Sequence, residues 1–403
     1  MSNNRSAPSA QLRPTLPQTL AIIPSAYGLL AWVATLALLP VSTSPINPMS
    51  EVTQLIVIYA IFCFLMSTVI HVRYAQRALV EFTDRGIDTA TFVAFLVSGA
   101  IGSLGLMIYL NDISSFAGGI GVLVYAIVSQ DLLAIRAFSG ELDSIGTQLS
   151  YFSWIAIFLG TMIVFRSKYH PLIKLAVLGF SIALLFGNLF FIDRTRPLWI
   201  LLPVIFTLSF AKPFWKFRVG RVAGGVLAFG LGLFFLFMTL TGKYSSYGQL
   251  DSLFVYATGG FGYLDSIVSS NAHQDTTFVR SFYWAAKVIE LTGADLHIPN
   301  QVLDFRYVPF PTNVGTFIEP IYSDGGLDFV FLFIPVLTLA LDRLALYMYR
   351  RSDYLSLLVW GNILFTLLIS FFVPKFNQLP LWLFLFIALA AGPFLTPKQS
   401  ATR

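Results

Sequence analysis

Long apolar runs separated by short polar breaks make up most of the chain, and one polar stretch, Gly242 to Gly325, interrupts them. The runs cover Thr19–Leu39, Val52–Val72, Thr91–Leu110, Thr147–Phe165, Pro171–Ile192, Pro197–Phe210, Arg221–Thr241, Leu327–Tyr347, Tyr354–Val373 and Leu379–Leu395. Most approach the roughly 20 residues that a helix needs to cross a bilayer. They are continuous rather than alternating, so they predict helices and not barrel strands. The predicted fold is all-α: a polytopic transmembrane bundle of about ten helices with one large extracytoplasmic loop domain. Residues 1–17 read as a disordered cytoplasmic tail, 18–241 as helices one to seven, 242–325 as the loop, 326–396 as helices eight to ten, and 397–403 as a second cytoplasmic tail. The first run is too long for a signal-peptide core and reads as a retained helix. Phe116–Val128 is apolar but only about 13 residues long, which suits an interfacial or re-entrant segment better than a span.

Composition agrees with a membrane assignment. Hydrophobic residues make up 56% of the chain and charged residues 11%, against roughly 25% charged in soluble domains. The net charge of +5 gathers at helix ends, so it reads as orientation and not as a nucleic-acid surface. Cys63 is the one cysteine, so no intrachain disulfide ties the loop.

Lysine and arginine cluster on alternate connections, among them Arg73, Arg77, Arg85, Arg166, Lys168, Lys174, Lys212, Lys216, Arg218, Arg350 and Arg351. That bias places both termini in the cytoplasm and residues 242–325 outside. Arg136, Arg194, Arg196 and Lys375 remain on short outer connections. The three arginines there run against the bias. Each is either an anchor that reaches to lipid headgroups or a cation kept for a function.

The loop carries Lys243, Arg280, Lys287 and Arg306 against Asp251, Asp265, Asp275, Glu290, Asp295, Asp304, Glu319 and Asp324. It is net negative, so general attraction will not draw in an anion; individual arginines would have to. Asp251–Ser270 reads as an amphipathic helix broken at Gly259-Gly260. Thr276–Leu291 reads as a helix capped by Thr276 or Thr277, with a core face of Phe278, Phe282, Ala285 and Ile289. Arg280, Trp284 and Lys287 share another face. Two cations around an indole suit a sugar beside a phosphate; an interfacial helix with a tryptophan belt fits the same pattern. Prolines 309, 311 and 320 make Asp304–Pro320 a stiff, irregular segment without regular pairing. It would either hold functional groups or plug the bundle as a lid. Helix interiors carry almost no charge, and no internal repeat is visible, which disfavours a transporter.

Val308–Asp328 (VPFPTNVGTFIEPIYSDGGLD) resembles the Wzy-type oligosaccharide repeat-unit polymerases. The match lies in Pro311, Asn313, Val314, Thr316, Tyr322, Asp324 and Gly326. Ile135-Arg136 with Gly140, and Asp193-Arg194-Thr195-Arg196-Pro197, also look like that family. Gly315 departs from it, where an aromatic residue is expected. The resemblance implies an enzyme of the bacterial inner membrane. It would transfer a growing glycan from undecaprenyl diphosphate to a hydroxyl of a new carrier-linked repeat unit, making O-antigen, capsule or exopolysaccharide. It would work without a cofactor, beside membrane lipids and the chain-length regulator and flippase of the same pathway. Arg136, Arg280 and Arg306, then Arg194 and Arg196, would meet the diphosphate. Glu319, Asp304 and His273 are the candidate bases, Trp284, Tyr322 and Asn313 would touch sugar, and His297 reads as structural. No spacing of metal ligands appears. A ligase using the same donor and a transporter of lipid-linked sugars are the alternatives.

Overall fold

The computed structural model describes residues 14–41, 48–83, 86–129, 144–191, 193, 195–211, 249–271, 278–290, 292–294, 296–299, 303–308, 311–392 and 394. The expected seventh run, 221–241, lies outside them, as do Arg136, Arg194 and His273. In chain order the elements begin with α1 (Leu16–Leu20), α2 (Pro24–Leu38), α3 (Glu51–Glu81), α4 (Thr89–Phe116) and α5 (Ile120–Val128). Then come α6 (Ile145–Arg166), α7 (Pro171–Leu189), α8 (Thr195–Phe210), α9 (Gln249–Ser269) and α10 (Tyr283–Glu290). The strands β1 (Arg306–Tyr307) and β2 (Pro311–Thr312) precede α11 (Ile318–Arg351), α12 (Tyr354–Leu368) and α13 (Leu379–Ala391). Five helices, α3, α4, α6, α7 and α11, are long and apolar enough to cross a membrane; α2, α8, α12 and α13 are shorter apolar helices. The protein is therefore an all-α bundle of membrane-protein character.

Side-chain caps start several of these helices. Ser50 accepts from the Thr53 N–H of α3, Asp88 from the Thr91 N–H of α4 at 2.8 Å, and Asp353 from the Ser356 N–H of α12 at 2.8 Å, each satisfying a donor left open by helix geometry. The first apolar run is not one helix. It breaks at Ala21–Ile23 and restarts at Pro24, where a first-turn proline is accommodated. Tertiary partners serve the break. The Trp360 indole donates to Ile22 O at 3.1 Å, and Ser25 N–H donates to the Asp342 carboxylate of α11 at 2.8 Å.

Asp342 is one of the few charges inside a helix, where the sequence shows almost none. It is fully buried and accepts from Ser25 N–H, Ser25 Oγ and, at 2.6 Å, Ser67 Oγ, with His71 Nδ1 3.7 Å away. His71 Nδ1 also lies 2.9 Å from Ser67 O. This cluster stitches α2, α3 and α11 together.

On the other side of the bundle α4 and α6 pack backbone to backbone. A Cβ on Gly105 would lie 2.4 Å from Ser150 N, so small residues permit the approach. Near the middle, Trp32 of α2 meets Phe64, Phe261 and Phe317 with ring centroids 5.1–6.0 Å apart, and its indole donates to Ser370 Oγ at 2.8 Å. That hub fixes α3, α9, the foot of α11 and the α12–α13 connection relative to one another. The foot of α11 and the connection form one wall of the candidate site.

Three details of the polar stretch differ from expectation. α9 runs unbroken through Gly259-Gly260; a Cβ on Gly260 would sit 2.4 Å from Phe371 O, so this glycine serves close approach and not a turn. The proline-rich piece does pair: Arg306 stands opposite Thr312 and Tyr307 opposite Pro311 in a short antiparallel ladder. The helix expected from Leu327 starts instead at Ile318 and kinks at Gly326, whose φ of 63° lies in the left-handed region.

Candidate functional site

The foot of α11, Ile318 to Gly325, carries Glu319, Tyr322, Ser323 and Asp324 on one short piece of helix before the kink. All four are buried. A helix repeats every 3.6 residues, so Glu319 and Ser323 lie one turn apart, and Ser323 Oγ donates to Glu319 Oε1 at 3.0 Å. Gly315 leaves room for the Glu319 stem: a Cβ there would lie 3.1 Å from Glu319 Cβ. A side chain at 315 would collide with Leu303 and Glu319.

Asp324 holds the segment opposite. Its Oδ1 accepts from Arg280 N–H at 3.2 Å and its Oδ2 from Ser281 N–H at 2.6 Å. Asn377, on the α12–α13 connection, donates through Nδ2 to Arg280 O at 2.8 Å and accepts from Trp284 N–H at 3.1 Å. The Arg280 backbone is therefore clamped on both sides. This clamp replaces the expected start of the helix. The helix begins at Tyr283, Phe278 takes a φ of 54°, and the threonines proposed as caps lie outside the described residues. The expected core face is not a core: Phe278, Phe282 and Ile289 are exposed, and Phe278 and Phe282 lie against Phe329 and Phe333 of α11.

The clamped backbone presents a loosely held guanidinium. Arg280 Nη1 lies 3.4 Å from Glu319 Oε1, and its buried Nε has no hydrogen-bond partner among the described residues. Strong charge-assisted bonds run at about 2.7–2.9 Å, so the pair is in contact without being saturated. Arg306, on β1, is similar. Its Nη1 reaches Ser266 O, Ser266 Oγ and Ser270 Oγ, each at 3.4 Å, and the guanidinium stands 5.7 Å from the Tyr263 ring centre. Tyr322 Oη points back to α9, 3.5 Å from Val268 O and from Asn271 Oδ1.

Of the residues predicted from sequence, the structure gathers Glu319, Arg280, Arg306 and Tyr322 around the junction of α9, α11 and the 278–282 turn. Asn313 is half-buried just after β2, and Asp304 and His297 are exposed. Trp284 stacks on Trp382 of α13 with centroids 4.7 Å apart, so one face of its indole is already taken. Lys287 pairs with Glu290 at 2.9 Å. Arg196 lies elsewhere, at the start of α8, buried among aromatic rings. Sequence reasoning missed the roles of Ser281 and Asn377, which bear no motif. It also passed over Lys375, although this residue was visible as a cation on a short outer connection.

The arrangement can hold an anion beside a buried carboxylate, with the cation's backbone fixed in advance. No family model matches the chain, and no curated protein or solved structure matches it.

Proposed function

We propose that the chain polymerises oligosaccharide repeat units carried on a polyprenyl diphosphate. The reading rests on the sequence resemblance. The observation that supports it best is the clamped Arg280, whose guanidinium has spare donors beside the buried Glu319. In the reaction the bond between the sugar anomeric carbon and the diphosphate oxygen breaks. The lipid diphosphate leaves with the electron pair, and an acceptor hydroxyl takes its place on that carbon. Charge grows on the leaving diphosphate, and fixed guanidinium groups stabilise it more in the transition state than in the ground state. Each charge-assisted hydrogen bond contributes roughly 1.5–3 kcal/mol, and Arg280 with Arg306 supplies several. The acceptor proton passes to a base, a contribution of roughly 10²–10⁴-fold. Glu319 is our first choice because it is the candidate base that adjoins Arg280. In this reading the site end of the bundle faces the outside of the inner membrane.

The test is reconstitution with a polyprenyl-diphosphate oligosaccharide. Chain lengthening in step with release of lipid diphosphate is expected. Binding of the substrate without any lengthening would overturn the polymerase reading.

A further inference from the structure

A row of arginines stands at the other end of the bundle, on α3 and α11. Both helices are long and apolar enough to cross a membrane. Tyr59 Oη donates to Phe331 O at 2.7 Å toward one end of the pair, and Arg350 meets Glu81 at the other, so the two helices run parallel. From the kink at Gly326 to Arg350 a helix rises about 36 Å, more than the roughly 30 Å of a hydrocarbon core. Arg350 therefore lies at headgroup level, on the opposite face of the membrane from Glu319. Arg343, two turns before it, lies at the hydrocarbon edge, where a long side chain still reaches the headgroups.

Tyr74 of α3 orders both cations. The Arg343 guanidinium carbon lies 3.8 Å from the Tyr74 ring centre, and the Tyr74 hydroxyl hydrogen-bonds with Arg350. Stacking uses the face of a guanidinium, while its five N–H donors lie in the plane and point outward. Among the described residues, no hydrogen bond and no carboxylate within salt-bridge distance takes up the donors of Arg343. Glu81 counters Arg350. Arg73 and Arg77, exposed and one turn apart on α3, add two further cations. The same helix faces continue toward the membrane centre as exposed apolar residues: Met66 and Ile70 precede Arg73 and Arg77 at helical spacing, and Leu332 and Val336 precede Arg343.

We propose that Arg343 and Arg350 bind the phosphate of an anionic phospholipid whose acyl chains lie along the exposed apolar faces of α3 and α11. The phosphodiester oxygens accept the in-plane fork of Arg343, and Arg73 and Arg77 add the positive charge that selects an anionic headgroup. Basic clefts between spanning helices take such headgroups. Orientation in the membrane needs only the charges; a stacked guanidinium also fixes the direction of its donors. A soluble phosphate shares the headgroup chemistry but has nothing to lay on the apolar faces, so the lipid is the occupant. The site is separate from the Arg280–Glu319 group and does not depend on the polymerase reading.

The test uses the full chain in detergent. Native mass spectrometry follows binding of phosphatidylglycerol and of phosphatidylcholine with matched acyl chains, and calorimetry follows inorganic pyrophosphate. The parent is expected to prefer phosphatidylglycerol by about 10-fold or more, as loss or gain of a charge-assisted bond implies, and Arg343→Gln to lose most of that preference. Should Arg343→Gln not fold, Arg343→Ala takes its place. Equal binding of the two lipids by the parent, or a preference in the neutral variant within twofold of the parent's, overturns the site. A loss seen with pyrophosphate and not with phosphatidylglycerol assigns the arginines to a soluble anion and overturns the lipid assignment. None of these results bears on chain lengthening, which is measured separately.

Discussion

The protein buries charge in two contrasting ways. Asp342 is saturated: Ser25 and Ser67 give it a backbone N–H and two hydroxyl donors, and His71 stands behind. Arg196, Lys375 and Arg280 are undersaturated, with donors left over and walls of aromatic rings or a single long ion contact. A saturated buried charge closes a structure, because every donor and acceptor has been matched within the chain. An undersaturated one keeps donors available to a ligand. The difference separates a structural tie from candidate binding groups without reference to any relative.

The largest expected effect falls on the saturated cluster. Asp342→Ala leaves Ser25 N–H and two hydroxyls without an acceptor and should cost roughly 3–5 kcal/mol, read as a sharp fall in thermal unfolding temperature in detergent. An unchanged melting temperature would dissolve the contrast. Next, on the polymerase reading, Glu319→Gln and Arg306→Ala should lower chain lengthening by roughly 10²-fold or more while melting close to the parent, measured on the reconstituted protein. Loss of folding in both would turn the site into a second structural tie. Gly260→Ala should cost about 1–3 kcal/mol by overpacking against Phe371 O, and the same unfolding assay measures it. Lys375→Met sharpens the comparison from the other side: removing a buried cation whose carboxylate partner, Asp193, acts only from a distance should leave stability within about 1 kcal/mol.

Legibility from sequence followed the range of the interactions. Apolar runs located α3, α4, α6, α7 and α8 to within a few residues at most of their ends, because burial and helix period are local properties; α3 and α4 alone run further at their C-terminal ends. The foot of α11 was read as loop, since Glu319, Ser323 and Asp324 look polar in one dimension. In the fold, Arg280, Ser281 and each other give them partners. Gly259-Gly260 read as a breaker for the same reason: the backbone of Phe371 that requires a bare Cα comes from far along the chain. Arg280, Arg306 and Glu319 were legible as candidates through a short motif and the placement of cations. The clamp by Asp324 and Asn377 was not.

The membrane-protein character and the all-α class were set by sequence alone, because the bilayer demands long apolar segments with internally satisfied backbones. Which charges are spent and which are spare was decided only in three dimensions. Asp342 and Lys375 are each an ordinary charge in the sequence, and nothing local distinguishes the carboxylate that meets three donors from the ammonium that meets one amide oxygen and an indole face. That distinction belongs to side chains brought together across hundreds of residues, and it arises only once the helices have packed.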